Sequence, residues 1–469
     1  MERHDQDLEK KVEELLNTPV EGEEPRRSEA HHHRHHHHHS SHSESDSKKK
    51  SKKTSVFQKL KGMDNRIIMA VCALLIVGVL VLVARNAQQA ANLQSATEQL
   101  EEFAGSSKIS YSVPDYWEKS TENAIKKVQA LLDEGGRDAV AFAWFSDVQY
   151  STGVGRNQYT GALAAAVMDA CNIPYAIHSG DLLTEAVLSS SEEVKSAYAN
   201  AYAMLAPIGE ERLLQVAGSH DGTYGSADLD LNGKIESYEE YCYNLPEEQL
   251  YNLMFRQHAG DSRRVYGSEG DWYYLDDTTS KTRFIMLNSA WTAYEETLDG
   301  CAKNNKTQTR GFGQAQLQWL VDTALRFEEA GWGVVVVAHS PLDDADLRDG
   351  AIAEGILNAF KNKTAYQGSY GTAGSWDHVE ISANFTGTPA AQLMGWFSGS
   401  LHRDRLAENA ACPVLSITSS GPDSTDETEE ERMIGTDTET AMDFVVINRK
   451  NGKVSLVRLG VGVDRSYAY

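Results

Sequence analysis

The sequence predicts an α/β domain from about residue 112 onward, preceded by one transmembrane helix and a disordered N-terminal tail. Three observations predict it. Apolar runs of strand length alternate with helical patterns, as in a sheet covered by helices. These runs end in Gly, Asp or His. Between tail and domain, Ile67 to Ala84 is an 18-residue stretch with no charged residue. At 469 residues and 41% hydrophobic, the chain can fill a sizeable core. It is not a low-hydrophobicity disordered polymer.

The tail is low in complexity. Residues 1–66 carry 14 Lys and Arg against 13 Asp and Glu. Nine His fall between His31 and His42, and a Lys cluster follows from Lys48 to Lys53. Such a His tract binds Zn²⁺ or Ni²⁺ loosely or serves as a solvated linker. The uncharged stretch spans about 27 Å as a helix, close to the hydrocarbon core of a bilayer. Lys and Arg crowd its N-terminal side, whereas Arg85 stands nearly alone after it. The positive-inside rule therefore predicts a single-pass signal-anchor with the N-terminus cytoplasmic and the C-terminal domain extracellular; a bacterial plasma membrane is the expected setting. Residues 85–111 read as a helical stalk, and 112–469 as the ectodomain. Residues 85–469 carry 30 Lys and Arg against 55 Asp and Glu. So acidic a surface excludes a non-specific nucleic-acid binder.

The elements follow in order. A helix over Glu122–Asp133 leads to a strand at Ala139–Phe145, ending at Asp147. A helix over Tyr159–Ala170 leads to Tyr175–Ser179, ending at Gly180-Asp181. A helix over Glu192–Leu205 leads to Arg212–Ala217, ending at His220-Asp221. Later come a strand at Arg283–Asn288, a helix over Gln314–Ala330, and a strand at Gly333–Ala338 ending at His339. Leu393–Ser398 precedes His402. Pro413–Thr418 follows, and a hairpin closes from Asp443–Asn448 to Val454–Gly460. In α/β sheets ligands bind beyond the carboxyl ends of the strands. Asp147, Asp181, His220, His339 and His402 all fall there. Mixed carboxylate and imidazole ligation suits Mn²⁺, Fe or Zn²⁺.

The motifs read, in chain order, Asp147-Val148-Gln149, Gly180-Asp181, Gly218-Ser219-His220-Asp221, His339 and Gly399-Ser400-Leu401-His402. This order resembles the calcineurin-like metallophosphoesterase family, whose pattern is D-x-H, G-D, G-N-H-D/E, a lone His, then G-H-x-H. The resemblance spans about residues 136–462. It implies a four-layer α/β/β/α sandwich with a metal site at one rim. Carried over residue by residue, it implies Asp147, Asp181 and His402 as ligands of one metal, with Gln149 in place of a histidine. It implies Asp181 and His339 at a second metal, where Ser219 and Ser400 replace Asn and His. One good site and one weak or empty site follow. His220 is implied to assist the leaving group, with Asp221 orienting its ring. The implied reaction is hydrolysis of a phosphate mono- or diester by hydroxide on the metal, the substrate being a phosphorylated small molecule or a cell-envelope component. The competing class is a catalytically inactive, calcium-ordered binding module at the cell surface.

A second metal motif follows. Asp228, Asp230, Asn232, Lys234 through its carbonyl, Glu236 and Glu239 match the spacing of a twelve-residue Ca²⁺ loop, with Gly233 at its turn. An exiting helix over Ser237–Tyr243 is expected, with loop over His220–Ser226 before it. Cys171, Cys242, Cys301 and Cys412 allow three pairings or none. Asn305, Asn362 and Asn384 open N-x-T triplets.

Overall fold

The run AVAFAWF forms strand β1 (Ala139–Phe145) and is buried over nearly its whole length, as expected of a strand covered on both faces. The computed structural model describes residues 112–150, 158–184, 190–226, 241–258, 260–268, 270–297, 302–408, 411–421 and 432–469. All belong to a compact unit, Lys108–Tyr469. The tail, the uncharged stretch at 67–84, the stalk and the proposed Ca²⁺ loop lie outside the described residues. Among the described residues, no helix is long and apolar enough to cross a membrane.

After β1 come β2 (Tyr175–His178), β3 (Leu213–Gln215), β4 (Thr223–Ser226), β5 (Tyr241–Asn244), β6 (Arg264–Tyr266), β7 (Tyr273–Asp277), β8 (Thr282–Leu287) and β9 (Trp332–Ala338). Then follow β10 (Ala365–Tyr370), β11 (Val379–Asn384), β12 (Ala391–Ser398), β13 (Arg405–Ala407), β14 (Val414–Ser416), β15 (Ala441–Asn448), β16 (Lys453–Gly460) and β17 (Arg465–Ala468). The α-helices are α1 (Glu118–Gly135), α2 (Thr160–Cys171), α3 (Ser191–Leu205), α4 (Glu247–Met254), α5 (Gly313–Trp319) and α6 (Gly350–Asn362). Ser190 caps α3, its hydroxyl accepting from Glu193 N at 3.3 Å.

Two mixed sheets carry the fold. One has the order β17-β16-β15-β1-β2-β3, the other β13-β14-β12-β9-β8-β7-β6. Strands β1, β2 and β3 are parallel, as are β14, β12, β9 and β8. The sheets face each other through aromatic edges: Phe142 meets Phe284 and Phe397 at 5.7 and 5.3 Å, and Trp144 meets Phe397 at 5.0 Å between ring centroids. The two-residue period of the strands sorts the second sheet. Val335 and Val337 join the core between the sheets, while Val334 and Val336 join a second core with Ile352, Ile356 and Leu357 of α6. Helix α1 packs on β15 and β16 of the first sheet.

Three expectations change. The helix expected to run to Ala330 stops early: α5 passes into a π turn, Leu320–Ala324. Beyond it Phe327 turns inward onto Trp332 and Phe360, at 5.9 and 6.1 Å. The helix expected through Tyr243 is instead strand β5 over Tyr241–Asn244, and part of the expected loop before it is strand β4. The two pair antiparallel, with Tyr224 and Tyr243 stacked at 5.4 Å. A cross-strand aromatic pair stabilises a hairpin that a short polar helix cannot match. Cys171 and Cys412 are buried free thiols.

Candidate metal centre

Five strands from both sheets deliver the candidate residues to one rim. Asp147 follows β1, Asp181 follows β2, His220 follows β3, His339 follows β9, and Ser400 and His402 follow β12. The loops zip together through backbone hydrogen bonds. Asp147 N donates to Gly180 O at 3.0 Å, Gln149 N to Asp181 O at 3.0 Å, and Gly399 N to His339 O at 3.0 Å. Close approach fixes glycine at two places. A Cβ on Gly218 would stand 2.1 Å from Asp181 Oδ1, and one on Gly399 would stand 2.3 Å from Asp147 Oδ2. Five candidate residues adopt left-handed backbone: Asp147 (φ 51°), Gln149 (47°), Asp181 (54°), Ser400 (65°) and His402 (50°). Each costs roughly 1–2 kcal/mol and persists only where the surroundings impose it.

The ligand atoms of Asp147, Asp181 and His339 all lie within 4.8 Å of one another, and all three side chains are buried. His339 Nε2 is 3.0 Å from Asp181 Oδ2 and 4.0 Å from Asp147 Oδ1. It has no aligned hydrogen bond to either, whereas Nδ1 is paired with Ser179 O at 2.9 Å. An imidazole oriented by a carbonyl, with its other nitrogen buried and facing two carboxylates, is an arrangement that could hold a divalent metal. His402 Nε2 joins from the other side, 3.3 Å from Asp147 Oδ1 and 3.1 Å from Gln149 Nε2. His220 stands at the mouth. Its backbone N donates to Asp181 Oδ1 at 2.8 Å, and its Nε2 lies 3.8 Å from Asp181 Oδ2. Ser219, largely buried, precedes it in the same turn.

Asp221 plays a different part from the one the motif suggests. Its carboxylate accepts from the backbone N of Asp181 (3.1 Å), Leu182 (3.1 Å), Leu183 (3.3 Å) and Gly218 (2.8 Å), and from Tyr198 Oη (3.1 Å). Both oxygens are engaged in holding the loops after β2 and β3 together, not in orienting the His220 ring. Burial and the neighbouring Asp181 charge push its carboxyl up to about 6, against the pull of those amides. Burial would also raise Asp181, but His339 and His220 outweigh it and hold that carboxyl well below the usual range. His339 moves the other way: burial opposes its charge, and Asp181 and Asp147 raise its pKa.

Two neighbours escaped the sequence reading. His178, the last residue of β2, is fully buried against Phe145, and neither ring nitrogen has a hydrogen-bond partner. It sits inside an apolar run and reads as core. Arg310, in the polar loop before α5, donates from Nη1 to Ser400 Oγ at 3.3 Å. No apolar run ends at it, so the strand-end pattern that marks the other candidates does not reach it.

No family model matches the chain, and no curated protein matches it. Among solved structures, the chain is similar to a dimetal phosphatase from Danio rerio, at 12% identity over 70% of this chain and 99% of that one, with a TM-score of 0.40. It is similar to a protein described as the anchor in the inner membrane complex of Plasmodium, at 10% identity over 70% and 88%, with a TM-score of 0.36. A conserved uncharacterized protein and predicted phosphoesterase from Streptococcus pneumoniae is similar at 9% identity over 71% and 98%, with a TM-score of 0.24. Scores this low assign the chain neither a family nor an activity.

Proposed function

We propose that this chain is a metal-dependent phosphoesterase that hydrolyses a phosphate mono- or diester. One observation carries the reading: two carboxylates and an imidazole from three separate strands converge, buried, with ligand atoms within 4.8 Å of one another. Asp147, Asp181 and His339 would hold a divalent ion, with His402 and Gln149 beside Asp147. Mn²⁺, Fe and Zn²⁺ all suit such a set. The ion supplies Lewis acidity to a phosphoryl oxygen and lowers the pKa of water. Around it the chain's own groups act. Asp221 fixes the loops, and the left-handed turns aim the carboxylates. His220, part-exposed at the mouth, donates a proton from its ring to the departing oxygen. The proposal extends to a phosphorylated small molecule or cell-envelope component as substrate, a bacterial plasma-membrane anchor at Ile67–Ala84, and Ca²⁺ at Asp228–Glu239. These extensions rest on sequence pattern.

A second reading, an inactive calcium-ordered binding module, draws on Gln149, Ser219 and Ser400, which replace stronger ligands of the family pattern. The purified protein separates the two. The esterase is expected to bind Mn²⁺ in titration calorimetry and to hydrolyse bis-p-nitrophenyl phosphate, with both lost in Asp181→Ala. Titration with Ca²⁺ reads the Asp228–Glu239 loop. Ca²⁺ binding without Mn²⁺ binding or hydrolysis selects the binding module.

A further inference from the structure

The position where the resemblance implies a metal-binding histidine holds Ser400, and that serine joins two charges. Its backbone N faces the Asp147 carboxylate at 3.2 and 3.3 Å, while its hydroxyl accepts from Arg310 Nη1 at 3.3 Å. A guanidinium therefore stands one residue away from the metal-site carboxylate.

Arg310 is built in. Gly311 N donates to Ser289 O at 2.7 Å, and Arg348 N donates to Arg310 O at 3.1 Å, which pins its loop to the end of β8. Its side chain is 17% exposed. Two carboxylates lie within ion-pair range, the part-buried Asp344 and the exposed Asp346, but neither makes an aligned hydrogen bond to it. Asp344 is 3.3 Å away and Asp346 is 3.5 Å away, and Asp346 is 79% exposed to screening solvent. Both distances exceed the roughly 2.7–2.9 Å of a charge-assisted hydrogen bond. Nε is buried without a partner. Of five N–H donors, one makes an aligned hydrogen bond among the described residues, the bond to Ser400. A fixed cation with spare donors at the rim of a metal site is suited to an anionic oxygen. Its planar fork matches phosphate, and its charge does not titrate near neutrality.

We propose that Arg310 is a phosphate-binding residue. It donates to a non-bridging oxygen of the phosphoryl group at the Asp147–Asp181–His339 site, and so provides the positive charge that Ser219 and Ser400 are poorly suited to hold as a second metal. This rests on the phosphoesterase reading above.

The test compares the full chain with Arg310→Ala, Arg310→Gln and Ser400→Ala, in two titrations: Mn²⁺ into the protein, then inorganic phosphate into the Mn²⁺-loaded protein. Both Arg310 variants are expected to bind Mn²⁺ as the parent does. Their phosphate Kd should rise at least about tenfold, the loss of a charge-assisted hydrogen bond. Ser400→Ala, which keeps the charge, should lose far less. With bis-p-nitrophenyl phosphate, KM should rise more than kcat falls. Arg310→Gln keeps a donor near Ser400 and carries the test if Arg310→Ala does not fold. An unchanged phosphate Kd in a variant that binds Mn²⁺ normally overturns the proposal and leaves the metal site standing. Parallel loss of Mn²⁺ and phosphate in both variants makes Arg310 a prop for the loop and also overturns it. A parent protein that binds no Mn²⁺ sinks the phosphoesterase reading itself.

Discussion

At the scale of single residues, His178 shows how a buried group ties stability to acidity. Burial drives its pKa down to about 4, from an ordinary value of about 6.5. The folded chain therefore binds fewer protons than the unfolded chain between these values, and stability rises with pH across the window. The contribution is complete above pH ~6.5 and is lost as pH falls through ~4, an order of 3 kcal/mol. His178→Leu should flatten the urea-unfolding stability profile between pH 6.5 and 4. A slope identical to the parent's would count against this assignment. The strand-end aspartates and histidines were legible because a polar residue closing an apolar run breaks the pattern conspicuously. His178 breaks the same pattern one step earlier, where a histidine in a core strand draws no attention. Arg310 was illegible because its place beside the site comes from Ser400, ninety positions away along the chain.

Elements were legible in proportion to how far burial dictates them. The runs at β1 and β9 announce themselves because both faces are covered. The β10–β11 hairpin, exposed along much of β10, has no such signature and went unread. The network behind the His402 loop was also invisible, since it joins charges from four segments. Arg458 on β16 donates to Asp443 on β15 at 2.8 Å and to Asp404 at 2.8 Å, and Arg465 on β17 pairs with Asp404 at 2.6 Å. Thr418 extends it, donating from N to Asp404 and from Oγ1 to His402 O, both at 3.1 Å. Arg458 and Asp443 are nearly inaccessible to solvent. Removing Arg458 leaves the buried Asp443 with Arg465 alone, a loss of up to about 3–5 kcal/mol. Arg458→Met should lower the urea midpoint accordingly, and adding Asp443→Asn should recover part of the loss. A change below about 1 kcal/mol would show that the pair is dispensable.

For the whole molecule, charge separates the basic flank of residues 48–66 from the acidic chain beyond residue 84. The proposed anchor predicts that the full chain sediments with membranes and resists carbonate extraction, and that deleting residues 67–84 moves it to the soluble fraction. Sedimentation unaffected by that deletion would refute the anchor. Sheet order is the part of the architecture that sequence hides most completely. Nothing local states that Ala139 lies opposite Asn448, or that β15 rather than β3 flanks β1 on that side. This pairing orders events during synthesis. A nascent chain displays β1, the most apolar strand of the first sheet, with an open edge until the ribosome has delivered β15 and β16. Every rim residue has already emerged by then. Closure of the first sheet therefore waits until the chain has been made through β16, more than three hundred residues after β1.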